Sequence, residues 1–115
     1  MAQLTTHVLD TANGCPAAGM TVRLLRVDDE RSLLTETTTN GDGRVDRPLL
    51  TAADFATGRY ALEFDVAAYF LALGTALAEP PFLDTVTLNV GLCAGQKYHV
   101  PLLVSPWSYS TYRGS

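Results

Sequence analysis

The sequence predicts an all-β fold, an antiparallel β-sandwich of about seven or eight strands with one short helix. Three observations lead to this prediction. Short segments rich in Val, Leu, Thr and Tyr recur along the chain, turns rich in Gly, Asn, Asp and Pro separate them, and a single segment has the apolar spacing of a helix. Short strands at regular spacing with turn signals between them are typical of antiparallel sandwiches.

Three segments in the first half of the chain have the composition of strands. Residues 4–10 (LTTHVLD) come first and are followed by a loop that contains Gly and Pro. Residues 20–27 (MTVRLLRV) largely alternate between the two faces, as expected for a half-buried strand. Residues 32–39 (SLLTETTT) form the next strand. The NGDG segment that follows predicts a tight turn, because Asn and Gly tolerate positive φ.

The middle of the chain contains a strand and the one predicted helix. In the strand, Tyr60, Leu62 and Phe64 share one face. The helix is predicted between Asp65, which suits the N-cap, and Gly74, which suits the C′ position. Its apolar side chains have the spacing i, i+3, i+4 and i+7: Val66, Tyr69, Phe70 and Leu73.

The last part of the chain predicts three more strands. They are residues 85–90 (TVTLNV), 97–105 (KYHVPLLVS) and 108–114 (SYSTYRG). Pro101 lies inside the second of them and predicts an edge strand or a bulge, because proline cannot donate a hydrogen bond to a sheet.

Length and composition favour a single globular domain over residues 1–115. The chain is 47% hydrophobic and 17% charged, which is the range of folded proteins. Its net charge of −4 and its lack of any Lys/Arg run argue against a nucleic-acid partner.

Targeting signals, long apolar runs and cysteines indicate in which compartment a protein works. The first residues lack a basic segment followed by a long apolar one, which is the pattern of a secretory leader. The longest apolar run, Val66–Leu73, is too short to cross a bilayer. Cys15 and Cys93 are isolated and predicted to be free thiols. We therefore expect a soluble cytoplasmic protein without a membrane partner.

The chain has two histidines, His7 and His99, and both lie in predicted strands. A single strand histidine is commonly structural. The ordinary pKa of histidine, about 6.5, nevertheless suits proton transfer at neutral pH. Two histidines that converge from the first and the penultimate strand would supply a general base and a group that orients it. A zinc site formed by both of them and Asp10 is conceivable, but no ligand-like spacing supports it.

The turn at residues 37–46 (TTTNGDGRVD) has part of the spacing of a calcium loop. Thr38 and Arg44 occupy positions that should donate oxygen, and Leu49 stands where the closing acid should be, which argues against calcium. The alternative is a tight turn that carries Arg44 outward. Its planar guanidinium would suit a carbonyl or anionic oxygen, whereas an ordinary exposed turn arginine is the simpler interpretation.

Three segments together resemble the 5-hydroxyisourate hydrolases, the transthyretin-related enzymes of urate breakdown. They are residues 4–19 (LTTHVLDTANGCPAAG), 39–50 (TNGDGRVDRPLL) and 98–115 (YHVPLLVSPWSYSTYRGS), which ends in the family's YRGS motif. The resemblance implies a transthyretin-like (prealbumin-like) sandwich. Lys97 departs from the histidine that family members often carry there.

The resemblance also implies a reaction and a site. The reaction is hydrolysis of 5-hydroxyisourate to 2-oxo-4-hydroxy-4-carboxy-5-ureidoimidazoline without a metal or organic cofactor. The chain would work as a homotetramer, a dimer of dimers with its sites where the dimers meet. The implied catalytic residues are His7, Arg44, His99 and Ser115. The implied substrate-binding residues are His7, Arg44, Thr111, Tyr112, Arg113 and Gly114.

Several points stay open at this stage. The sequence does not show which histidine is the base. We expect Arg113 to fix the C-terminal segment by pairing with a carboxylate. A transthyretin-like carrier of small ligands, in which the histidines are incidental, is the main alternative to the enzyme. A structural adhesion-type sandwich without pocket chemistry is a further one.

Overall fold

The computed structural model describes residues 2–114, which form two β-sheets and one helix. The first five strands are β1 (Gln3–Asp10), β2 (Cys15–Pro16), β3 (Thr21–Arg26), β4 (Ser32–Thr38) and β5 (Leu50–Thr51). The remaining elements are β6 (Gly58–Asp65), α1 (Val66–Ala72), β7 (Thr85–Leu92), β8 (Lys97–Val104) and β9 (Tyr109–Thr111). The predicted two-sheet sandwich with a single helix is confirmed, with two further strands of only two residues each.

The first sheet has the strand order β2-β1-β8-β9, with β5 also paired to β1, and the second has the order β4-β3-β6-β7. All pairs are antiparallel except one. β1 and β8 run parallel, in a register that extends from Gln3 opposite Lys97 to Asp10 opposite Val104. A parallel pair needs a long crossover, and here the chain between the two strands builds the whole second sheet. The sequence prediction of a purely antiparallel sandwich missed this pair.

Side-chain alternation in β1 and β8 decides which residues face the core. In β1 every second residue is buried: Leu4, Thr6, Val8 and Asp10. In β8 the buried residues of the same series are Tyr98, Val100, Leu102 and Val104. Because alternate side chains point to opposite faces of a strand, His7 and His99 both lie on the outer face of the first sheet, where each is half-buried.

The predicted helix is present, and its C-terminal signal is confirmed. Gly74 follows the C-cap Leu73 with a φ of +82°, a conformation that favours glycine. Two details of the prediction were wrong. Asp65 occupies the N-cap position but its side chain makes no capping hydrogen bond, because it accepts one from Arg23 instead, at 2.9 Å. Leu73 is not on the buried face, since it is 55% exposed.

Pro101 lies in β8, an inner strand of the first sheet, so the predicted edge strand is wrong. Its position explains how the sheet tolerates it. β8 pairs with β9 only from Leu102 to Val104, and pairing resumes beyond the proline at a single bridge between His99 and Gly114. Pro101 therefore lies in the gap between the two paired stretches.

Two further observations concern the described part of the chain. Both cysteines, Cys15 and Cys93, are free and exposed, as predicted. Between residues 2 and 114, the one helix is too short to cross a lipid bilayer.

Candidate active site

The structure brings the two histidines together on the outer face of the first sheet. Their ring centroids lie 6.5 Å apart and the ring planes are tilted by 43°. The parallel register causes this approach. His7 lies opposite Pro101 and His99 lies opposite Thr5, so the two histidines are diagonal neighbours on adjacent strands.

His99 has a defined polar partner and a low affinity for protons. Its Nδ1 lies 2.9 Å from the Oγ1 of Thr5. Partial burial lowers the pKa of the His99 imidazole below its ordinary value, and the positive charges of Arg44 and His7 lower it further. The lowered pKa favours the neutral imidazole at pH 7, which is the state that a general base needs.

His7 is oriented by the main chain of the turn beside it. Its Nε2 lies 2.8 Å from the carbonyl oxygen of Asp42. A carbonyl oxygen only accepts hydrogen bonds, so Nε2 must carry the proton and donate it. When the ring is neutral, its Nδ1 is then left as an acceptor.

The turn between β4 and β5 is built to dock on β1. The side-chain oxygen of Asn40 accepts hydrogen bonds from the backbone N–H groups of Asp42, at 2.9 Å, and Arg44, at 3.2 Å. Gly43 has a φ of +76°, and a Cβ there would lie 2.3 Å from the carbonyl oxygen of Val8. The Val8 N–H also donates to the Gly43 carbonyl, at 2.7 Å. Only glycine fits this approach, and it places the turn next to His7.

Arg44 is the turn residue that joins the histidine pair. Its backbone forms an antiparallel bridge with that of His7. Its side chain is exposed, and its charge is close enough to lower the pKa of His99. The structure thus brings His7, Arg44 and His99, which the family resemblance implied as site residues, into one cluster. Sequence reasoning missed the supporting roles of Asn40 and of the Asp42 carbonyl.

Asp10 does not belong to this cluster. It lies on the core face of β1, only 1% exposed, and accepts a hydrogen bond from the Tyr69 hydroxyl at 2.8 Å. Asn13 donates to it through both its backbone and its side chain. Since His7 points to the opposite face, the conceivable zinc set of Asp10 and the two histidines is not assembled.

The C-terminal segment lies against His99. The N–H of Gly114 donates to the His99 carbonyl at 2.6 Å. A Cβ at position 114 would come within 3.0 Å of the His99 ring carbon Cδ2. Tyr112, two residues before Gly114, is 61% exposed. Ser115, a predicted catalytic residue, lies outside the described residues.

Two predicted substrate-binding side chains have other partners. The Thr111 hydroxyl donates to the Pro101 carbonyl at 2.7 Å. The guanidinium of Arg113 lies 4.2 Å from the ring centroid of Tyr98, which is on the core side of β8, and donates to the side-chain oxygen of Gln96 at 3.0 Å. Arg113 fixes the segment, but through an aromatic ring and a carboxamide instead of the carboxylate that we expected.

The chain is similar to known proteins over nearly its whole length. A model of the HIUase/Transthyretin family matches residues 4–114. The 5-hydroxyisourate hydrolase of Pseudomonas aeruginosa is 52% identical over 117 residues, an alignment that covers 100% of this chain and 93% of that protein. The 5-hydroxyisourate hydrolase of Deinococcus radiodurans is 57% identical over 115 residues, covering 97% of this chain and 95% of that one.

Solved structures with the same fold include two enzymes and a transthyretin. A crystal structure of (S)-allantoin synthase has a TM-score of 0.93 at 47% identity, and covers 99% of this chain but only 44% of its own. Klebsiella pneumoniae 5-hydroxyisourate hydrolase has a TM-score of 0.83 at 34% identity, with 100% of both chains covered. Sea bream transthyretin in complex with thyroxine has a TM-score of 0.87 at 26% identity, covering 98% and 95%. The chain therefore belongs to the HIUase/Transthyretin family.

Proposed function

We propose that this protein hydrolyses 5-hydroxyisourate and opens its six-membered ring to give 2-oxo-4-hydroxy-4-carboxy-5-ureidoimidazoline. One observation carries the proposal: His7, His99 and Arg44 meet on the outer face of the first sheet, beside Gly114 of the C-terminal segment. The names of the relatives that are about half identical to this chain support the choice of substrate.

The reaction adds one water molecule to a cyclic amide. A water oxygen forms a bond to the ring carbonyl carbon, and the bond from that carbon to the ring nitrogen breaks. The base removes a proton from the attacking water, and the leaving nitrogen receives one. The single ring-opened product carries a carboxyl group and a new ureido N–H. The carboxyl group releases its proton to solvent as it ionises, so that atoms and protons balance without an oxidant or a metal.

His99 is the group that we assign as base. Its pKa is lowered by partial burial and by the charges of Arg44 and His7. A lowered pKa favours the neutral imidazole near pH 7, which is the form that can accept a proton. A well-positioned base typically accelerates a reaction by about 10²–10⁴-fold. The alternative base, His7, has one ring nitrogen bonded to the Asp42 carbonyl, just as His99 has one bonded to Thr5, so the lowered pKa of His99 decides between them. We assign His7 to orienting the water or substrate through its remaining nitrogen.

Arg44 and the C-terminal segment complete the proposed site. The guanidinium of Arg44 would hold a substrate oxygen and stabilise the negative charge that develops on it, which is often the larger contribution to catalysis. Tyr112 would line the pocket for the flat heterocycle. We assign Ser115 to a hydrogen bond with substrate or water, because its neighbour Gly114 is bound to His99.

We also propose that the protein assembles as a homotetramer, a dimer of dimers whose sites lie at the contact between dimers. The support is exposed apolar surface on β9 and the residues that flank it. Trp107 is 72% exposed, Tyr112 is 61% exposed and Tyr109 is 45% exposed, and such patches mark interaction surfaces. Light scattering should give four times the chain mass, and Trp107→Lys should lower it. A monomeric wild-type chain would contradict this assembly.

The test of the proposed function is the absorbance decay of freshly generated 5-hydroxyisourate, compared with its spontaneous decay. We expect acceleration by the wild-type chain, also in the presence of a chelator, and its loss in His99→Asn. Circular dichroism shows whether each variant is folded. A folded protein without any acceleration would favour a small-ligand carrier like the transthyretin neighbour. Turnover that survives in both His7→Asn and His99→Asn would refute the roles assigned to the histidines.

A further inference from the structure

We propose that Thr5 is a positioning residue for His99. Its hydroxyl accepts the Nδ1–H of the imidazole and so leaves Nε2 unprotonated and free to act as the base. This inference rests on the proposed function for its catalytic meaning. Its structural content, the protonation of one named nitrogen, can be measured without any substrate.

The Thr5 hydroxyl has a single proton and two polar neighbours. Oγ1 of Thr5 lies 2.9 Å from Nδ1 of His99 and 3.4 Å from the carbonyl oxygen of Tyr98. The carbonyl oxygen can only accept, so the hydroxyl proton satisfies it. The hydroxyl oxygen has lone pairs left for Nδ1, which must then be the donor. Both hydrogen bonds exist together only if Nδ1 carries the imidazole proton.

The opposite arrangement would disable the proposed base. If Thr5 donated to Nδ1, the neutral ring would carry its proton on Nε2 and would have no lone pair there for the water. The neutral imidazole has one donor and one acceptor nitrogen, and the bond made by one nitrogen sets the role of the other. A hydroxyl that already donates its proton to a carbonyl oxygen therefore determines which of the two ring nitrogens is basic.

The fold holds Thr5 in this position through the parallel register of β1 and β8. Thr5 lies directly opposite His99 in that register. It is also two residues before His7, on the same outer face of β1. Threonine is branched at Cβ and has few χ1 rotamers, so its hydroxyl is held with little loss of freedom. One strand thus supplies both a histidine of the site and the partner that orients the other histidine.

Two other threonines near Thr5 make hydroxyl hydrogen bonds to a backbone carbonyl only. Thr6 points to the core and its hydroxyl donates to the Val100 carbonyl at 2.7 Å. Thr11 likewise donates to the Val104 carbonyl at 3.1 Å. Neither has an imidazole as a second partner. Thr11, which is exposed and directly follows β1, offers a matched control for removal of a hydroxyl that donates to a β8 carbonyl.

The first experiment is long-range ¹H–¹⁵N NMR of the His99 ring at a pH where it is neutral. We expect a protonated Nδ1 and an unprotonated Nε2 in the wild-type chain. Thr5→Val, which keeps the shape and removes the hydroxyl, should move the proton towards Nε2, and Thr5→Ser should restore the wild-type pattern. Thr11→Val should leave it unchanged. A wild-type His99 protonated on Nε2 would overturn the proposal, even if no variant folds.

The second experiment adds turnover of 5-hydroxyisourate. We expect Thr5→Val to lower kcat by about 10–100-fold with little change in KM, Thr5→Ser to recover most of it, and Thr11→Val to keep wild-type rates. Full kcat in a folded Thr5→Val chain would also overturn the proposal. If the wild-type chain does not accelerate the reaction at all, the proposed function fails, while the NMR result still decides whether Thr5 sets the ring.

The pH profile separates the tautomer from a simple change of charge. Among the described residues, the charges of Arg44 on the docked turn and of His7 on β1 lower the pKa of His99, and Lys97 lies two residues earlier on β8. Thr5→Val alters none of them. We therefore expect the kcat of Thr5→Val to be lower than that of the wild-type chain at every pH above the acid limb. A loss confined to low pH would mean that the substitution acts on the pKa and would overturn the positioning role.

Discussion

Gly114 and His99 contact each other through both main chain and side chain. The Gly114 N–H donates to the His99 carbonyl at 2.6 Å, and the space where a Cβ would lie is only 3.0 Å from the ring carbon Cδ2 and 3.2 Å from the His99 Cβ. The C-terminal segment is thus held against the imidazole by a hydrogen bond and by the absence of a side chain. Any side chain at position 114 must displace the ring or the segment.

Replacing Gly114 by alanine should therefore impair the site more than the fold. We expect Gly114→Ala to lower kcat/KM by about tenfold or more, since small displacements of a catalytic group are costly, while the melting temperature changes little. Gly91→Ala on β7 is the matched control, because a Cβ at Gly91 meets no atom within 4 Å. Equal activity in both variants would show that the segment does not define the position of His99.

The docked turn allows a second pair of glycine variants. Gly43 combines a positive φ with a Cβ position 2.3 Å from the Val8 carbonyl oxygen, whereas a Cβ at Gly41 meets nothing within 4 Å. We expect Gly43→Ala to reduce the free energy of unfolding by about 1–3 kcal/mol and to reduce turnover, because Arg44 moves with the turn. Gly41→Ala should do neither. Urea denaturation and the absorbance assay together check both effects.

The charge of Arg44 should control the pH dependence of the reaction. His99 must be neutral to act as base, and its pKa is lowered by partial burial and then by the charge of Arg44. The acid limb of kcat/KM should therefore lie below pH 6.5, the ordinary pKa of histidine. Arg44→Gln removes one lowering charge, so the limb should move to higher pH while the maximal rate falls by about 100-fold.

Arg47→Gln is the control for this experiment. It removes a positive charge from the same loop, but Arg47 is not among the groups that lower the pKa of His99. Its acid limb should coincide with that of the wild-type chain. A wild-type limb at or above pH 6.5, or the same shift in both variants, would argue against His99 as the base that Arg44 influences.

β1 and the turn that docks on it show which features of the structure the sequence predicts and which it does not. The alternation of residues 4–10 and the NGDG turn are local signals, and both elements formed where they were predicted. The approach of His7 to His99 was predicted only as a possibility. It depends on a parallel register between strands about ninety residues apart, which no local pattern encodes.

The errors have the same origin. Asp65 has the local preference of an N-cap, but Arg23 on a neighbouring strand competes for its carboxylate. Pro101 suggests an edge strand, but the gap between β9 and the Gly114 bridge accommodates it within the sheet. Thr5 carries no motif of its own, and its contact with His99 follows only from the strand pairing. Partners that are distant in sequence decide each of these cases.

The core side of β1 provides a prediction about stability that is independent of the proposed reaction. Asp10 is 1% exposed and accepts hydrogen bonds from the Tyr69 hydroxyl and from Asn13. Burial raises the pKa of the Asp10 carboxyl, but the hydrogen bonds from Asn13, Tyr69 and Ala12 together outweigh it, so that the pKa lies below its ordinary value. The folded state therefore favours the ionised carboxylate.

Tyr69→Phe removes one of these donors and should reduce the free energy of unfolding at pH 7 by about 1–3 kcal/mol. A carboxylate with a lowered pKa stabilises the fold fully above its unfolded pKa, and this contribution is lost as the pH falls through the folded value. The difference between Tyr69→Phe and wild type should therefore shrink as Asp10 becomes protonated. Tyr109→Phe, which removes an exposed hydroxyl, is the control and should change stability little. Urea titrations at pH 7 and pH 3 check this, and a difference that stays constant between them would mean that the tyrosine acts through packing and not through the Asp10 carboxylate.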